Sequence, residues 1–186
     1  MQTQTNHSQP QTHRIYVASL SDYAAGIHHG VWIDAAIPLR DMLGIVDTML
    51  ETSPTARMEG IPAEEYAIHD QVGFYGHTLP EHMSLADVHR LASLLDCLTP
   101  SKAEAFAEYC DHNYGEAITD LAETFDQMYI GQFDDETSFG EWFAEETGLL
   151  EGVAPSVSLY FDYAAYGRDL LINHYYMTAG GHVFNI

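Results

Sequence analysis

The sequence contains almost no positive charge. Lys102 is its one lysine, and the six Lys and Arg face 28 Asp and Glu, which gives a formal net charge of −22 over 186 residues. No basic residue occurs in the 65 positions between Lys102 and Arg168. Nucleic-acid binding depends on Lys and Arg that neutralise phosphates, so the sequence argues against direct binding of DNA or RNA. The same deficit argues against attachment to anionic membranes through a polybasic segment.

Long apolar runs and cysteines are also scarce. No stretch approaches the roughly 18 apolar residues of a membrane span, although a hydrophobic content of 46% is sufficient for a buried core. Residues 1–13 are polar, lack the apolar stretch of a signal peptide, and are predicted to be a disordered tail. Cys97 and Cys110 are too few for a disulfide framework, which favours a reducing cytoplasm. Both are expected in the buried faces of helices.

Motifs for catalysis and phosphate binding are missing as well. The sequence has no G-x-x-x-x-G-K-[ST], G-x-G-x-x-G or G-x-S-x-G, and neither cysteine has a C-x-x-C partner. Eleven histidines raise the question of a metal site. Glu108 and His112 have i,i+4 spacing that suits a cation, but such a pair is more often surface decoration, and zinc sites usually have tighter ligand spacing. We therefore predict a protein that is not an enzyme and has no metal or cofactor.

The order of the patterns predicts an α+β protein with three small domains after the tail. Residues 14–82 are predicted to form an N-terminal α+β domain and residues 83–127 a central helical domain. Residues 128–186 are predicted to form a C-terminal α+β domain. The three segments have net charges of −7, −7 and −8, so the negative charge extends along the whole chain.

Apolar periodicity and turn residues predict the elements within these domains. Two S-x-x-D/E boxes, Ser84 with Asp87 and Ser101 with Glu104, predict helix starts on either side of Pro100. Residues 21–26 are predicted to form a turn. Predicted strands lie at 15–19, 65–75 and 128–133 and on both sides of Gly180-Gly181, and further helices lie at 35–51, 116–127, 138–147 and 156–172.

Acidic residues concentrate on one side of the predicted helices. At 100° per residue, Glu108 and Asp111 lie within about 40° of Glu104, with Phe106 on the opposite side. Like charges at i,i+4 cost about 0.2–0.5 kcal/mol, and no nearby lysine offsets this repulsion. We call the following residues the acidic surface: Glu104, Glu108, Asp111, Glu116, Asp120, Glu123, Asp126, Asp134, Asp135, Glu136, Glu141, Glu145 and Glu146. Tyr129 and Ile130, on a strand between acidic helices, are candidates for a dimer contact.

The total charge matches a short length of DNA. Duplex DNA has one negative charge per about 1.7 Å of axis, so 22 charges correspond to roughly 37 Å, or about 11 base pairs. A symmetric dimer would correspond to about 22 base pairs. The acidic residues on one helix face are too far apart to reproduce the charge density of DNA, because residues four apart are separated by about 6 Å. Several faces together could occupy a basic DNA-binding groove on another protein.

Four separated blocks resemble the ArdA family of antirestriction proteins. They are RIYVASLSDYAAGIHHGVWID at 14–34, EEYAIHD at 64–70, EWFAEETG at 141–148 and YFDYAAYGRDL at 160–170. The resemblance runs in order to the closing HVFNI, with an extra N-terminal tail, a different segment after AIHD, and a central part that matches only in its helical, acidic character.

The resemblance implies a protein carried on mobile genetic elements that mimics bent B-form DNA. It implies an elongated, three-domain homodimer joined through the third domain. Such a protein would occupy the DNA-binding groove on the specificity and modification subunits of type I restriction–modification enzymes. No catalysis is implied, and the cytoplasmic localisation rests on the two cysteines alone.

Two other interpretations of the composition remain open. An acidic, lysine-poor surface is also typical of halophile-type proteins that keep a solvated surface and have some unrelated function. The histidines and acids are also compatible with a metal-binding protein. Folding at low salt and metal analysis of the purified protein would separate these from the DNA-mimic interpretation.

Overall fold

The computed structural model describes residues 12–186, so the predicted tail at 1–13 lies almost entirely outside the described residues. Helices make up 50% of the structure and strands 17%, which confirms the mixed α and β class. The chain divides into two compact units, the first ending at Ile118 and the second beginning at Thr119. Each unit contains its own sheet.

The first unit is built on a three-stranded antiparallel sheet. Its strands are β1 (Arg14–Ser19), β2 (Gly30–Asp34) and β3 (Tyr66–Val72), in the order β2-β1-β3. The register with β3 shifts by one residue between Tyr16 and Val17. β1 and β3 were predicted from the sequence, whereas β2 was not.

Five helices complete the part of the first unit that the structure describes. They are α1 (Leu20–Ala24), α2 (Leu39–Glu51), α3 (Pro54–Glu59), α4 (Leu85–Cys97) and α5 (Pro100–His112). Helix α2 packs against β1 and β2, α4 packs against α2, and α5 packs against α4. The core includes Ile15, Val17, Ile33, Met42, Val46, Val88 and Leu91. Burial of each such side chain contributes about 1.5–3 kcal/mol, which makes this sheet–helix core the main source of stability in the unit.

The helix starts show which capping predictions were correct. Ser84 caps α4, and its side chain accepts a hydrogen bond from the backbone amide of Asp87, as predicted. The predicted box of Ser101 with Glu104 is wrong, because Thr99 caps α5 and Pro100 takes the first helical position. Proline fits there because the amide it lacks would have no helical partner. The segment predicted as a turn at 21–26 also differs, since most of it lies in the short helix α1.

The part of the predicted central segment up to Ile118 belongs to the first unit, and α4 is bonded into it. His13 Nε2 lies 3.1 Å from a carboxylate oxygen of Asp96 on α4, and His89 Nδ1 lies 3.0 Å from the carbonyl oxygen of Ala35. These contacts connect α4 to the residue just before β1 and to the residue just after β2. The division into three domains stays a prediction. Of the two cysteines, Cys110 is buried as expected, but Cys97, the last residue of α4, is exposed.

The second unit has a smaller sheet and two packed helices. Its elements are α6 (Ile118–Met128), β4 (Tyr129–Gln132), α7 (Glu136–Glu146), α8 (Pro155–Ser158), α9 (Tyr163–Asn173), β5 (Tyr175–Met177) and β6 (His182–Asn185), and the antiparallel sheet has the order β4-β6-β5. The single helix predicted at 156–172 is wrong. The chain forms α8 and then α9, which restarts where Asp162 accepts the amide of Ala165.

The core of the second unit is aromatic. Phe139 of α7 is fully buried with Leu170 and Val183, and partly buried rings surround this cluster. Helices α7 and α9 cross at Gly140 and Gly167, where a Cβ atom on Gly167 would overlap the carbonyl oxygen of Glu136. Glycine at both positions therefore allows the two backbones to approach closely.

Candidate functional surface

Almost all of the negative charge lies at the surface. Every one of the 28 acidic residues is described, and 23 of them are exposed. Four are half-buried, and Asp22 alone is buried. Since charged groups are stable in water and costly to bury unpaired, this distribution is expected. The unusual feature is the scarcity of bases among these acids.

Each unit has a large negative charge of its own. The first unit has 16 acidic and five basic residues, net −11, and the second has 12 acidic residues against Arg168 alone, also −11. The second unit reaches this charge with 68 residues, so its charge density is higher. Uncompensated charge of this size produces a strong negative potential that attracts positively charged molecules.

On α5 the acids lie opposite a tightly buried side. Phe106 and Cys110 are buried, whereas Glu104 and Asp111 are exposed and Glu108 is half-buried. Burial and the neighbouring Asp111 carboxylate raise the pKa of the Cys110 thiol to about 12, so this thiol stays protonated at neutral pH. Cys110 is therefore a core residue without thiolate chemistry.

On α6 the arrangement is similar. Asp120, Glu123 and Asp126 are exposed, and the opposite side of the helix is buried through Ile118, Leu121 and Phe125. Glu116, which was expected to continue this helical face, is exposed but precedes the first residue of α6. The face defined by helical periodicity therefore begins at Asp120.

At the start of α7 the acids also stabilise the fold. The Asp135 carboxylate accepts the amide of Ser138, whose hydroxyl pairs in turn with the Asp135 backbone. Hydrogen bonds from the backbone and hydroxyl of Ser138 and from the backbone of Thr137 lower the pKa of Asp135. An exposed carboxylate at a helix N-terminus is additionally favoured by the helix dipole. Asp135 thus remains charged and has a capping role.

Glu136 also has a partner within the second unit. Its carboxylate lies 2.5 Å from Nη2 of Arg168 on α9. The hydrogen bond and the charge of Glu136 raise the pKa of Arg168. This pair neutralises the one base of the second unit locally, whereas Glu141, Glu145 and Glu146 farther along α7, and Asp134 before it, are exposed.

The first unit contains further exposed acids that were not selected from the sequence. They lie on α2, α3, β3 and the adjoining loops, and include Asp41, Asp47, Glu51, Glu59, Glu64, Glu65, Asp70 and Glu81. They were missed because the selection was confined to the acid-rich stretch from Glu104 to Glu146. Their charge is visible in the sequence, but their exposure is not.

The two candidate dimer residues already have contacts within the second unit. The Tyr129 ring stacks on Phe125 at 5.4 Å, and its hydroxyl lies 3.2 Å from Nδ1 of His182. Ile130 packs against the cluster around Phe139. Both side chains are half-buried. Their part in a dimer stays a prediction.

The described residues contain no group of three or more His, Cys, Asp or Glu side chains arranged to hold a metal ion.

Within residues 12–186 there is also no helix with the length and apolar character needed to cross a bilayer.

These features define a strongly acidic α+β protein with its carboxylates displayed on the surface. The chain belongs to the ArdA family of antirestriction proteins, whose family model matches residues 15–184. Family membership implies an antirestriction function, and it places the protein among inhibitors rather than enzymes. Restriction–modification enzymes are the targets that such a family suggests. No curated protein sequence matches the chain.

Proposed function

We propose that this protein inhibits type I restriction–modification enzymes by mimicking B-form DNA. In this proposal it occupies the DNA-binding groove formed by the specificity and modification subunits, so that incoming DNA is not bound or cleaved. The antirestriction function follows from the family. The mode of action and the enzyme class are our inference.

The observation that supports mimicry is the exposure of 23 acidic side chains in a chain with six basic residues. A groove that binds DNA is lined with Lys and Arg. These side chains neutralise phosphates and so release the counterions that surround the DNA. Carboxylates displayed at high density can replace those phosphates and attract the same basic residues. The surface thus complements the groove in charge, although it contains no phosphate.

The spacing of acids on one helix explains why a large surface is required. Asp120 and Glu123 are three residues apart on α6, which corresponds to about 4.5 Å along the axis. Phosphates of one DNA strand repeat about every 3.4 Å. A single face therefore falls short of the charge density of DNA, and acids from several elements must contribute.

We also propose that the protein forms a homodimer, acts in the cytoplasm and is carried on a mobile genetic element. A homodimer joined through the second unit would double the charge and the length of DNA imitated. A cytoplasmic location and carriage on a mobile genetic element would place the inhibitor where incoming DNA meets the restriction enzyme.

The direct test is competition for DNA. A purified type I methyltransferase core, with its specificity and modification subunits, is mixed with a labelled DNA duplex containing its recognition site. The protein should displace the duplex at near-stoichiometric concentrations. Absence of competition at low ionic strength, where charge attraction is strongest, would reject the proposal.

Two controls make the competition interpretable. Raising the salt concentration above about 0.5 M should weaken the complex, because the Debye length becomes only a few ångströms. Circular dichroism should show that the protein stays folded at low salt. Unfolding at low salt would instead favour a halophile-type protein, in which high salt is required to screen the acidic surface.

A further inference from the structure

A groove of about 560 Å³ lies between β2 and α2 in the first unit. One wall is a side of α2, with Gly44, Ile45 and Thr48 near its middle, and the other wall includes Gly30 and Val31 of β2. The apolar contribution comes mainly from Val31, Ile45 and Met49. The groove is therefore bounded by a helix on one side and by the edge of a sheet on the other.

The strand wall presents a row of backbone hydrogen-bonding groups. In the described part of the chain, β2 pairs with β1 alone and forms one edge of the sheet. Ser19 donates its amide to the carbonyl of His29, and Ala35 donates its amide to the carbonyl of His13. In an antiparallel pair, every second residue of a strand directs its N–H and C=O groups towards the neighbouring strand. His29 and Ala35 face β1 in this way, so the even-numbered residues between them direct their N–H and C=O groups away from β1. These residues are Gly30, Trp32 and Asp34.

The two sides of this edge have different chemistry. Ile45 and Met49 of α2 lie on the inner side, where an apolar side chain of an added strand would be covered. Trp32 lies on the outer side, 37% exposed, with its ring 5.6 Å from that of Tyr16. Because side chains of a strand alternate between faces, an added strand would place every second residue against α2 and the others beside Trp32 and Asp34.

Charge distinguishes among the possible occupants. The first unit has a net charge of −11, so a second copy of this chain approaching the same edge would be repelled. A basic segment would be attracted by the acids of the unit, while Arg40 and Asp41 in the groove lining offset one another. Arg14 already stacks on the Trp32 ring at 5.2 Å, so that ring is not an added site for a basic residue of the segment.

We propose that the β2–α2 groove binds an extended segment of another protein, in which basic and apolar residues alternate, as an additional strand on β2. Backbone hydrogen bonds to Gly30, Trp32 and Asp34 would provide affinity, and the alternation of side chains would provide specificity. This inference does not depend on the restriction target, since it concerns the shape and charge of the segment that the groove binds.

The test uses a capped synthetic octapeptide in which lysine alternates with valine. Its binding at about 0.15 M salt is measured by calorimetry, and the site is mapped by NMR shifts of backbone amides. We expect the largest shifts at Gly30, Trp32 and Asp34 and along the exposed side of α2, with slower hydrogen exchange of these three amides. A peptide in which glutamate replaces lysine should not bind measurably.

Peptide N-methylation tests the backbone contacts without altering the protein. Methyl groups on alternate amides remove the donors that face β2 while the charge stays the same. Affinity should fall at least tenfold when the methylated amides are those that face the strand. Equal binding of methylated and unmethylated peptides would mean attraction by charge alone and would overturn the proposal, as would no binding at all.

Gly44 and its neighbour Leu43 offer a matched pair of protein variants. A Cβ atom at Gly44 would meet nothing within 4 Å, so a side chain there extends into open space. Gly44→Phe should fill the groove and abolish peptide binding, whereas Leu43→Phe, which places the same ring at an exposed position of α2 outside the groove lining, should leave binding intact. Retained binding by a folded Gly44→Phe variant would refute the groove as the site. Concentration-dependent dimerisation that this variant alone abolishes would assign the groove to a second copy and would likewise overturn the proposal.

Discussion

His77 and Asp111 connect two parts of the first unit through a short contact. Nδ1 of His77, in the loop after β3, lies 2.6 Å from a carboxylate oxygen of Asp111 on α5. The His77 side chain is 6% exposed and that of Asp111 is 49% exposed. A buried imidazole without a partner loses the hydrogen bonds it has in water. Asp111 therefore fixes α5 to this loop in addition to contributing negative charge.

This contact predicts that Asp111 matters more for stability than the other acids of the acidic surface. Asp111→Ala should lower the free energy of unfolding by about 1–3 kcal/mol, because it leaves His77 without this partner. Asp120→Ala on the exposed side of α6 should change it by no more than about 0.5 kcal/mol. Urea unfolding of both variants compares them directly. Equal effects would show that the His77 contact contributes nothing.

We expect the buried Asp22 to make a contribution to stability that depends on pH. Its carboxylate accepts the amide of Thr55 at 2.8 Å inside the first unit. Burial alone would raise the pKa of Asp22, but hydrogen bonds from Thr55, Ser53 and Ser19 outweigh it and hold this pKa well below its ordinary value. The unfolded chain binds the proton near pH 4. The stabilisation is therefore complete above about pH 4 and is lost as the pH falls towards the lower folded pKa.

Asp22→Ala should accordingly lower the free energy of unfolding at pH 7 by about 1–3 kcal/mol, since the donors around it lose their acceptor. The difference from the unaltered protein should shrink between about pH 4 and pH 2.5. Asp22→Asn retains an acceptor oxygen and should cost less at pH 7. A difference that is the same at pH 3 and pH 7 would contradict a depressed pKa as the cause.

The glycines at the crossing of α7 and α9 predict a steric effect. Gly167→Ala would place a methyl group against the carbonyl oxygen of Glu136 and force the helices apart. Such overpacking typically costs about 1–3 kcal/mol. Gly44→Ala, in open space on α2, should instead stabilise by about 0.5–1 kcal/mol, because alanine favours a helix more than glycine does. Thermal unfolding should therefore shift in opposite directions for the two variants.

The sequence predicted those elements whose signals are local. The cap at Ser84 and the hairpin around Gly180-Gly181 depend on neighbouring residues, and both are present. The strand β2 was missed because GVWID is short and shows no clear alternation. The break before α9 was missed because apolar residues continue through 159–161, where the side chains are largely exposed. Tertiary packing decides such cases, and a single sequence does not contain it explicitly.

For the acidic surface, the sequence predicted the charge but not the roles of individual residues. Helical periodicity correctly separated exposed Asp120 and Glu123 from buried Leu121. It did not show that Asp111 pairs with His77, because 34 residues separate them. The pairing of Glu136 with Arg168 is equally distant, over 32 residues. Long-range partners of this kind arise from the fold, so they became visible only in the structure.

Neutralising acids on one exposed stretch should separate inhibition from stability. Glu116, Asp120 and Glu123 are all exposed, in a stretch without a base. The triple variant Glu116→Gln, Asp120→Asn, Glu123→Gln should keep or raise the melting temperature, because like charges that repel one another are removed. Its inhibition of DNA binding by the type I methyltransferase core should weaken about tenfold, since exposed charge contacts contribute roughly 0.2–1 kcal/mol each.

A charge-conserving triple variant, Glu116→Asp, Asp120→Glu, Glu123→Asp, is the matched control and should inhibit nearly as well as the unaltered protein. If mimicry depends on charge density, the two triples must differ in inhibition, and the difference must diminish as salt screens the contacts. Undiminished inhibition by the neutral triple would place the contact surface elsewhere on the protein. Equal loss in both triples would instead indicate that the side-chain shape of this stretch, rather than its charge, determines binding.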